Sequence, residues 1–197
     1  MSSALIIIDM QNDFLPGGSL AVPEGDQIIP IINAFSNDYS LVVATQDWHP
    51  KNHHSFASNH PGKQVFDTIE LNALPQTLWP DHCVQGSVGA EISTQIKQEN
   101  IAAIFRKGMH PEIDSYSAFF DNAHQSNTGL HGYLKDKNIS EIFLCGLAAD
   151  FCVYYTAIDS IQLGYKVTIF DNAVKAINNQ IYSTLKIELK NQGVLFK

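Results

Sequence analysis

The sequence has few cysteines, few basic residues and no long apolar run. Its three cysteines, Cys83, Cys145 and Cys152, are an odd number and do not form a disulfide framework. Twelve Lys and Arg against twenty Asp and Glu give a net charge of −8, which leaves no basic surface for nucleic acid. No apolar run approaches the roughly 18 residues that a membrane span needs. We therefore expect a cytoplasmic protein without nucleic-acid or membrane partners.

The sequence does contain short β-branched runs that alternate with amphipathic patterns. With 197 residues, 45% of them hydrophobic, the chain can bury the core of a single domain, residues 1–197. The β-branched runs predict buried strands at residues 5–8, 41–45, 101–105, 142–145, 167–170 and 194–196. The amphipathic patterns predict helices at residues 27–36, 91–98, 150–163 and 179–190. Together they predict a doubly wound α/β fold, with a mostly parallel six-stranded sheet and helices on both faces.

Two stretches, residues 47–88 and 108–130, show no regular pattern and are too long to be simple connectors. Loops of that length are usually functional or disordered. Their aromatic residues favour ordered loops, because disordered segments are poor in aromatics. We expect both stretches to pack over a site.

Reactive side chains follow the ends of several predicted strands, where parallel α/β sheets bind ligands. Asp9 follows the first strand, Lys107 the third, and Cys152 starts the helix after the fourth. The helix dipole and a neighbouring Lys107 would lower the pKa of the Cys152 thiol, and Asp9 would carry its proton to a departing amine. Taken singly, an inert buried cysteine, a solvated acid and a surface lysine are the alternatives.

A second group of side chains has the composition of a metal site. Asp47 and His49 alternate in an extended segment, so both side chains lie on one side of the chain. His82 would complete the group. One carboxylate and two imidazoles suit Zn²⁺, Fe²⁺ or Mn²⁺, and the spacing does not choose among them.

Five separated motifs resemble the nicotinamidases of the isochorismatase-like cysteine hydrolase family, and the resemblance spans almost the whole chain. The motifs are Ile-Ile-Asp9-Met-Gln-Asn-Asp-Phe14, Thr-Gln-Asp47-Trp-His49-Pro, Trp79-Pro-Asp-His82-Cys-Val, Arg-Lys107-Gly and Gly146-Leu-Ala-Ala-Asp-Phe-Cys152-Val. The resemblance implies the isochorismatase-like hydrolase fold and hydrolysis of nicotinamide to nicotinate and ammonia, a reaction of NAD salvage. It implies a Cys152 thioester, with pyrazinamide as a further expected substrate.

The resemblance also implies roles for individual residues. The catalytic residues would be Asp9, Lys107 and Cys152, and the metal ligands Asp47, His49 and His82, with Ser55 acting through water. Zinc is the first choice of metal, with iron or manganese as alternatives, and the ion would position the pyridine ring. A cis Leu147–Ala148 peptide would direct the Ala148 and Cys152 amides into an oxyanion hole. Phe14, Trp79 and Tyr116 match the positions that enclose the ring.

The chain departs from many relatives at Ala149, where threonine is common, and at Phe151, so pocket polarity is expected to differ. Three other functions stay open. One is an amidase of carbamoyl or ureido compounds, with the metal absent or incidental. Another is a noncatalytic ligand-binding or scaffold protein. The third is a metallohydrolase in which metal-bound hydroxide attacks and Cys152 only packs. The sequence also leaves homo-oligomerisation open.

Overall fold

The computed structural model describes residues 2–197 and is built around a six-stranded parallel sheet. The strands, in chain order, are β1 (Ser2–Ile8), β2 (Val42–Asp47), β3 (Thr68–Leu71), β4 (Leu74–Thr77), β5 (Ala103–Lys107), β6 (Ile139–Gly146), β7 (Lys166–Val174) and β8 (Leu195–Phe196). Strands β3 and β4 form a separate antiparallel hairpin. The order across the main sheet is β5-β2-β1-β6-β7-β8, and each neighbouring pair is parallel. The predicted doubly wound sheet is confirmed.

Helices cover both faces of this sheet. They are α1 (Ile29–Phe35), α2 (Leu130–Asp136), α3 (Tyr154–Gln162) and α4 (Asn179–Asn191). Side chains of β1 alternate between two apolar clusters: Ile6 and Ile8 pack with α2, α3 and α4, whereas Leu5 and Ile7 pack with α1. This double burial explains why the apolar run of β1 is continuous. Among residues 2–197, no helix has the length and apolar character needed to cross a membrane.

The segment 91–98 is not the helix that its apolar spacing predicts. Its isoleucines are buried on the α1 side of the sheet, which accounts for the spacing. Its backbone instead pairs with the chain after β1: Asn12 N–H donates to Glu91 O at 3.0 Å, and Ser93 N–H donates to Met10 O at 2.9 Å. These tertiary hydrogen bonds override the local helical pattern.

Two elements are absent from the sequence prediction: the β3–β4 hairpin within residues 47–88, and α2, which begins where the stretch 108–130 ends. The β3–β4 hairpin turns through Asn72 and Ala73, both with positive φ, and β4 contains Pro75, which argues against a strand. Helix α2 has only seven residues and contains Gly132, so its periodic signal is short and weak.

The topology places the reactive residues at one point of the sheet. The chain moves outward from β1 to β2 in one direction, and from β6 to β7 in the other, so the strand order reverses between β1 and β6. Gly146 ends β6, and a Cβ there would lie 2.1 Å from Ile8 O, so glycine is required for this close approach. Crevices at such switch points are where open α/β sheets bind ligands.

Candidate active site

Asp9 directly follows β1, has a positive φ of +45° and is completely buried. Thr45 of β2 fixes the carboxylate. Its hydroxyl donates to Asp9 Oδ1 at 2.6 Å and accepts a hydrogen bond from Asp9 N–H at 3.1 Å. Burial raises the pKa of Asp9, although the nearby Lys107 ammonium opposes that shift. A carboxyl group with a raised pKa suits proton transfer near neutral pH.

Lys107, at the end of the edge strand β5, is the centre of the polar contacts. Its Nζ lies 2.5 Å from Asp47 Oδ1, 2.9 Å from Asp9 Oδ2 and 3.4 Å from Cys152 Sγ, and it donates to Ser115 O at 3.0 Å. Burial alone would lower its pKa, but the two carboxylates outweigh burial and raise the pKa of Lys107 well above its usual value. The side chain is therefore a permanent cation.

Cys152 lies in a π-helical turn, Ala149–Val153, that follows β6 and leads into α3. Ligand-type atoms of Cys152, Asp9 and Asp47 all lie within 4.8 Å of one another. Burial and these two carboxylates raise the pKa of the thiol well above its usual value, and the opposing effect of Lys107 is smaller. The prediction of a lowered thiol pKa is therefore wrong. A resting thiol needs a base, and Asp9 lies beside it.

The turn before Cys152 contains a cis peptide between Leu147 and Ala148, as the resemblance implies. Ala148 O accepts hydrogen bonds from the N–H groups of Phe151 and Val153, each at 3.1 Å, which closes the turn around Cys152. Ala148 and Cys152 border the same cavity. Their function as an oxyanion hole stays a prediction.

Asp47, His49 and His82 converge into a buried group that could hold a metal ion. His49 Nε2 lies 3.5 Å, and His82 Nε2 3.9 Å, from Asp47 Oδ2. Burial alone would raise the pKa of Asp47, but Lys107 and His49 hold that pKa far below its usual value. Burial and His49 lower the pKa of His82 to about 4. Asp47 raises the pKa of His49 despite burial, so a cation would compete with a proton there.

The rings of both histidines are oriented through Nδ1. His49 Nδ1–H donates to Gly108 O at 2.9 Å, and His82 Nδ1–H donates to Pro80 O at 2.8 Å, because carbonyl oxygens only accept. A proton on Nδ1 leaves the Nε2 lone pair for a metal. Gly108 has φ +67°, and a Cβ there would lie 2.4 Å from His49 Cε1. These features fit the donor set to a divalent cation.

Ser55, predicted to act through water, contacts a histidine that the sequence prediction does not assign. Its Oγ lies 2.7 Å from His53 Nδ1, and its N–H donates to the same nitrogen at 3.2 Å. The His53 ring centroid lies 4.4 Å from that of His49. Ser55 therefore contacts a ring that packs against His49 of the metal group. Its position as a metal residue stays a prediction.

Phe14, Trp79 and Tyr116 line a narrow cavity beside Cys152. Trp79 Nε1–H donates to the Tyr116 hydroxyl at 3.2 Å, which holds the two rings together. The Phe14 ring centroid lies 5.5 Å from that of His82, so the aromatic wall adjoins the metal group. The structure thus brings together all the pocket residues that the resemblance implies. Their contact with substrate stays a prediction.

Four other residues complete the cavity wall: Leu20, Asp114, Phe151 and Ile177. Phe151, noted above as a departure, meets Trp79 and Tyr116 edge to face at centroid distances of 4.9 and 5.4 Å. Leu20, Asp114 and Ile177 are not predicted, because single residues in irregular segments carry no periodic signal. Asp114 lies two residues before Tyr116 in the sequence, and this proximity to a predicted pocket residue is the signal that could have indicated it.

Fold and site together define a hydrolase of the doubly wound α/β class. The chain belongs to the isochorismatase family, because the isochorismatase domain model matches residues 3–195. It is 51% identical over 175 residues to the nicotinamidase of Acinetobacter baylyi, covering 89% of this chain and 82% of that protein. It is 48% identical over 181 residues to the nicotinamidase of Escherichia coli, covering 90% of this chain and 84% of that protein.

Solved structures show the same similarity. The nicotinamidase/pyrazinamidase of Acinetobacter baumanii superposes with a TM-score of 0.96 at 47% identity, over 99% of this chain and 95% of that one. The pyrazinamidase of Pyrococcus horikoshii, in complex with zinc, gives 0.82 at 34% identity, over 100% and 99% of the two chains. The yeast nicotinamidase bound to the inhibitor nicotinaldehyde gives 0.94 at 34% identity, over 99% and 100%.

Proposed function

We propose that this chain hydrolyses nicotinamide to nicotinate and ammonia. The observation that carries the proposal is the position of Lys107 Nζ, which lies 3.4 Å from Cys152 Sγ, 2.9 Å from Asp9 Oδ2 and 2.5 Å from Asp47 Oδ1. A nucleophile, a proton carrier and a metal-binding carboxylate therefore share one cation. Nicotinamide has a carboxamide carbon that the nucleophile can attack and a ring nitrogen that the bound metal can contact. The similarity to nicotinamidases supports this substrate.

Zinc is the proposed ion, held by Asp47, His49 and His82, with iron or manganese as alternatives. The zinc complex of the similar Pyrococcus horikoshii pyrazinamidase supports this choice. When bound, the ion supplies a Lewis acid for the ring nitrogen. Pyrazinamide has a ring nitrogen in the same relation to its carboxamide, so we extend the proposal to it.

The aromatic residues orient the ring and exclude water. Phe14 and Trp79 are buried and come from separate segments of the chain. Both line the cavity that is also bordered by His82 of the metal group and by Cys152. A flat heteroaromatic ring fits between such walls, and its carboxamide then lies near the sulfur. Placing the reacting atoms in contact lowers the barrier by removing the entropy cost of their encounter.

Acylation begins when Asp9 takes the proton of the Cys152 thiol. The sulfur attacks the carboxamide carbon, and the N–H groups of Ala148 and Cys152 stabilise the oxyanion. Asp9 then donates its proton to the amide nitrogen, the C–N bond breaks and ammonia leaves. Lys107 remains protonated throughout and stabilises the negative charge on sulfur and on the carboxylate.

Deacylation returns the site to its first state. Asp9, again a carboxylate, removes a proton from a water molecule that attacks the thioester carbon. The C–S bond breaks, nicotinate leaves, and the sulfur recovers the proton held by Asp9. Each cycle consumes one water and releases one nicotinate and one ammonia.

The test is ammonia release from nicotinamide by wild type and by Cys152→Ala, each with metal and after chelation. Cys145→Ala is the matched control, because Cys145 is also buried but lies within β6. We expect activity in wild type and Cys145→Ala, no activity in Cys152→Ala, and suppression by chelation.

Other results would favour the alternative functions. Substantial turnover by Cys152→Ala would favour a metal-bound hydroxide as the nucleophile. A metal-loaded wild type that is inactive on nicotinamide but active on a carbamoyl or ureido compound would place the chain with the carbamoyl amidases.

A further inference from the structure

His53 is a buried histidine that the proposed reaction does not use. It is 0% exposed, and its Nε2 has no hydrogen-bond partner among residues 2–197. Buried polar atoms almost always have a partner, and an exception indicates a water molecule or an ion. The His53 ring lies against the ring of His49, one of the three metal-group residues, at a centroid distance of 4.4 Å.

The other ring nitrogen of His53 shows which atom carries the proton. Ser55 N–H donates to His53 Nδ1 at 3.2 Å, so Nδ1 accepts. The Ser55 hydroxyl, 2.7 Å away, can donate to the same atom. A neutral ring with an accepting Nδ1 carries its proton on Nε2. Ser55 therefore makes His53 Nε2 a hydrogen-bond donor.

Asp114 supplies acceptors close to the His53 ring. Ligand-type atoms of His49, His53 and Asp114 lie within 4.8 Å of one another, and all three residues are buried. Asp114 Oδ1 accepts from Ser115 N–H at 2.8 Å, and Oδ2 accepts from Gln76 Nε2–H at 3.0 Å. Each oxygen keeps a further lone pair. A donor on His53 and an acceptor on Asp114, both close to His49, are the kind of partners that a buried water requires.

We propose that His53 and Asp114 hold a water molecule in the coordination shell of the ion bound by Asp47, His49 and His82. The water accepts a hydrogen bond from His53 Nε2–H, directs its other lone pair to the ion and donates to Asp114. Ser55 then acts by fixing the His53 tautomer and makes no contact with this water. The inference rests on the metal site of the proposed function and names His53 and Asp114 as positioning residues.

The test measures zinc affinity by competition with a chromophoric chelator, without substrate. Removal of an outer-shell partner typically weakens metal binding about 10–100-fold, and we expect that loss in His53→Leu. His53→Gln keeps an N–H donor and is expected to recover most of the affinity. Ser55→Ala keeps the backbone donor to Nδ1 and should lose less than His53→Leu. His54→Ala is the matched control, because His54 is adjacent and belongs to neither metal group.

Two further measurements separate this function from a general effect on the loop. The melting temperatures of the metal-free variants should match that of the wild type. The visible spectrum of the Co²⁺-loaded His53→Gln variant should match that of the wild type, since no ligand is removed. A changed Co²⁺ spectrum would show that His53 is a direct ligand and would overturn the proposal.

Failure of this inference is distinguishable from failure of the proposed function. If wild type binds zinc and hydrolyses nicotinamide, and His53→Leu binds zinc equally tightly, the water-holding function alone is overturned. If Ser55→Ala loses as much affinity as His53→Leu, Ser55 contacts the coordination shell directly and the proposal is also overturned. If wild type itself does not bind zinc, the metal site and this inference fail together.

Discussion

Lys107 and Asp47 are paired twice, once through their strands and once through their side chains. They are register partners across β5 and β2, and Lys107 Nζ lies 2.5 Å from Asp47 Oδ1. Because Lys107 also contacts Asp9 and Cys152, a single ammonium joins the metal group to the proposed catalytic group. A substitution in either group should therefore change the electrostatic environment of the other.

Lys107→Met should destabilise the protein by about 3–5 kcal/mol, because it leaves two buried carboxylates without their cation. Lys107→Arg keeps the charge and should cost less. The free energy of unfolding, measured by urea titration, checks both. Lys186→Met is the matched control: it breaks the exposed pair with Asp171 and should cost about 0–1 kcal/mol. Equal losses at both lysines would contradict the buried network.

Alkylation of Cys152 in the metal-free protein should accelerate with pH up to at least pH 9. The pKa of this thiol is raised well above its usual value by burial, so the reactive thiolate is a minor species at neutral pH. The rate of iodoacetamide labelling, corrected with Cys152→Ala, checks this. A rate that levels off below pH 7 would instead indicate a thiolate at rest.

Asp9→Asn should lower kcat by about 10²–10⁴-fold, because the amide cannot carry a proton between sulfur and the leaving nitrogen. The asparagine oxygen can still accept the hydrogen bond from Thr45. We therefore expect the circular dichroism spectrum of the folded protein to be retained. Asp171→Asn, a surface change, is the control for kcat and should be close to wild type. An Asp9→Asn enzyme with full turnover would remove Asp9 from the mechanism.

Gly108→Ala should weaken zinc binding and lower the free energy of unfolding by more than about 1 kcal/mol. Alanine is strained at φ +67°, and its Cβ would displace the His49 ring. Gly132→Ala is the opposite case: no atom lies within 4 Å of its added Cβ, and the residue is inside α2. That substitution should stabilise by about 0.5–1 kcal/mol. Zinc titration and urea unfolding of both variants test the contrast.

The strands of the sheet and the residues at their ends were predictable because their signals are local. Continuous β-branched runs mark strands buried on both faces, and the residues that follow them must meet at one edge of a parallel sheet. This reasoning, with the family motifs, brings Asp9, Lys107 and Cys152 together.

The remaining features depend on contacts that one sequence does not display. Residues 91–98 have helical spacing, but their backbone bonds to the chain after β1. Leu20 and Ile177 reach the cavity from irregular segments. The thiol pKa of Cys152 depends on how completely water is excluded from the site. Motif spacing predicts a neighbouring cation, Lys107, but it does not predict the degree of burial.

The position of β5 at the edge of the sheet links local opening to loss of the site. Only β2 pairs with β5 among the described strands, and Ile104, the second residue of β5, is 47% exposed. Edge strands with exposed side chains open more readily than central ones. Fraying of β5 would withdraw Lys107 and leave Asp9 and Asp47 facing each other as like charges. Amide hydrogen exchange in these five residues therefore reports the lifetime of the assembled site, and a bound cation at Asp47 should lengthen it.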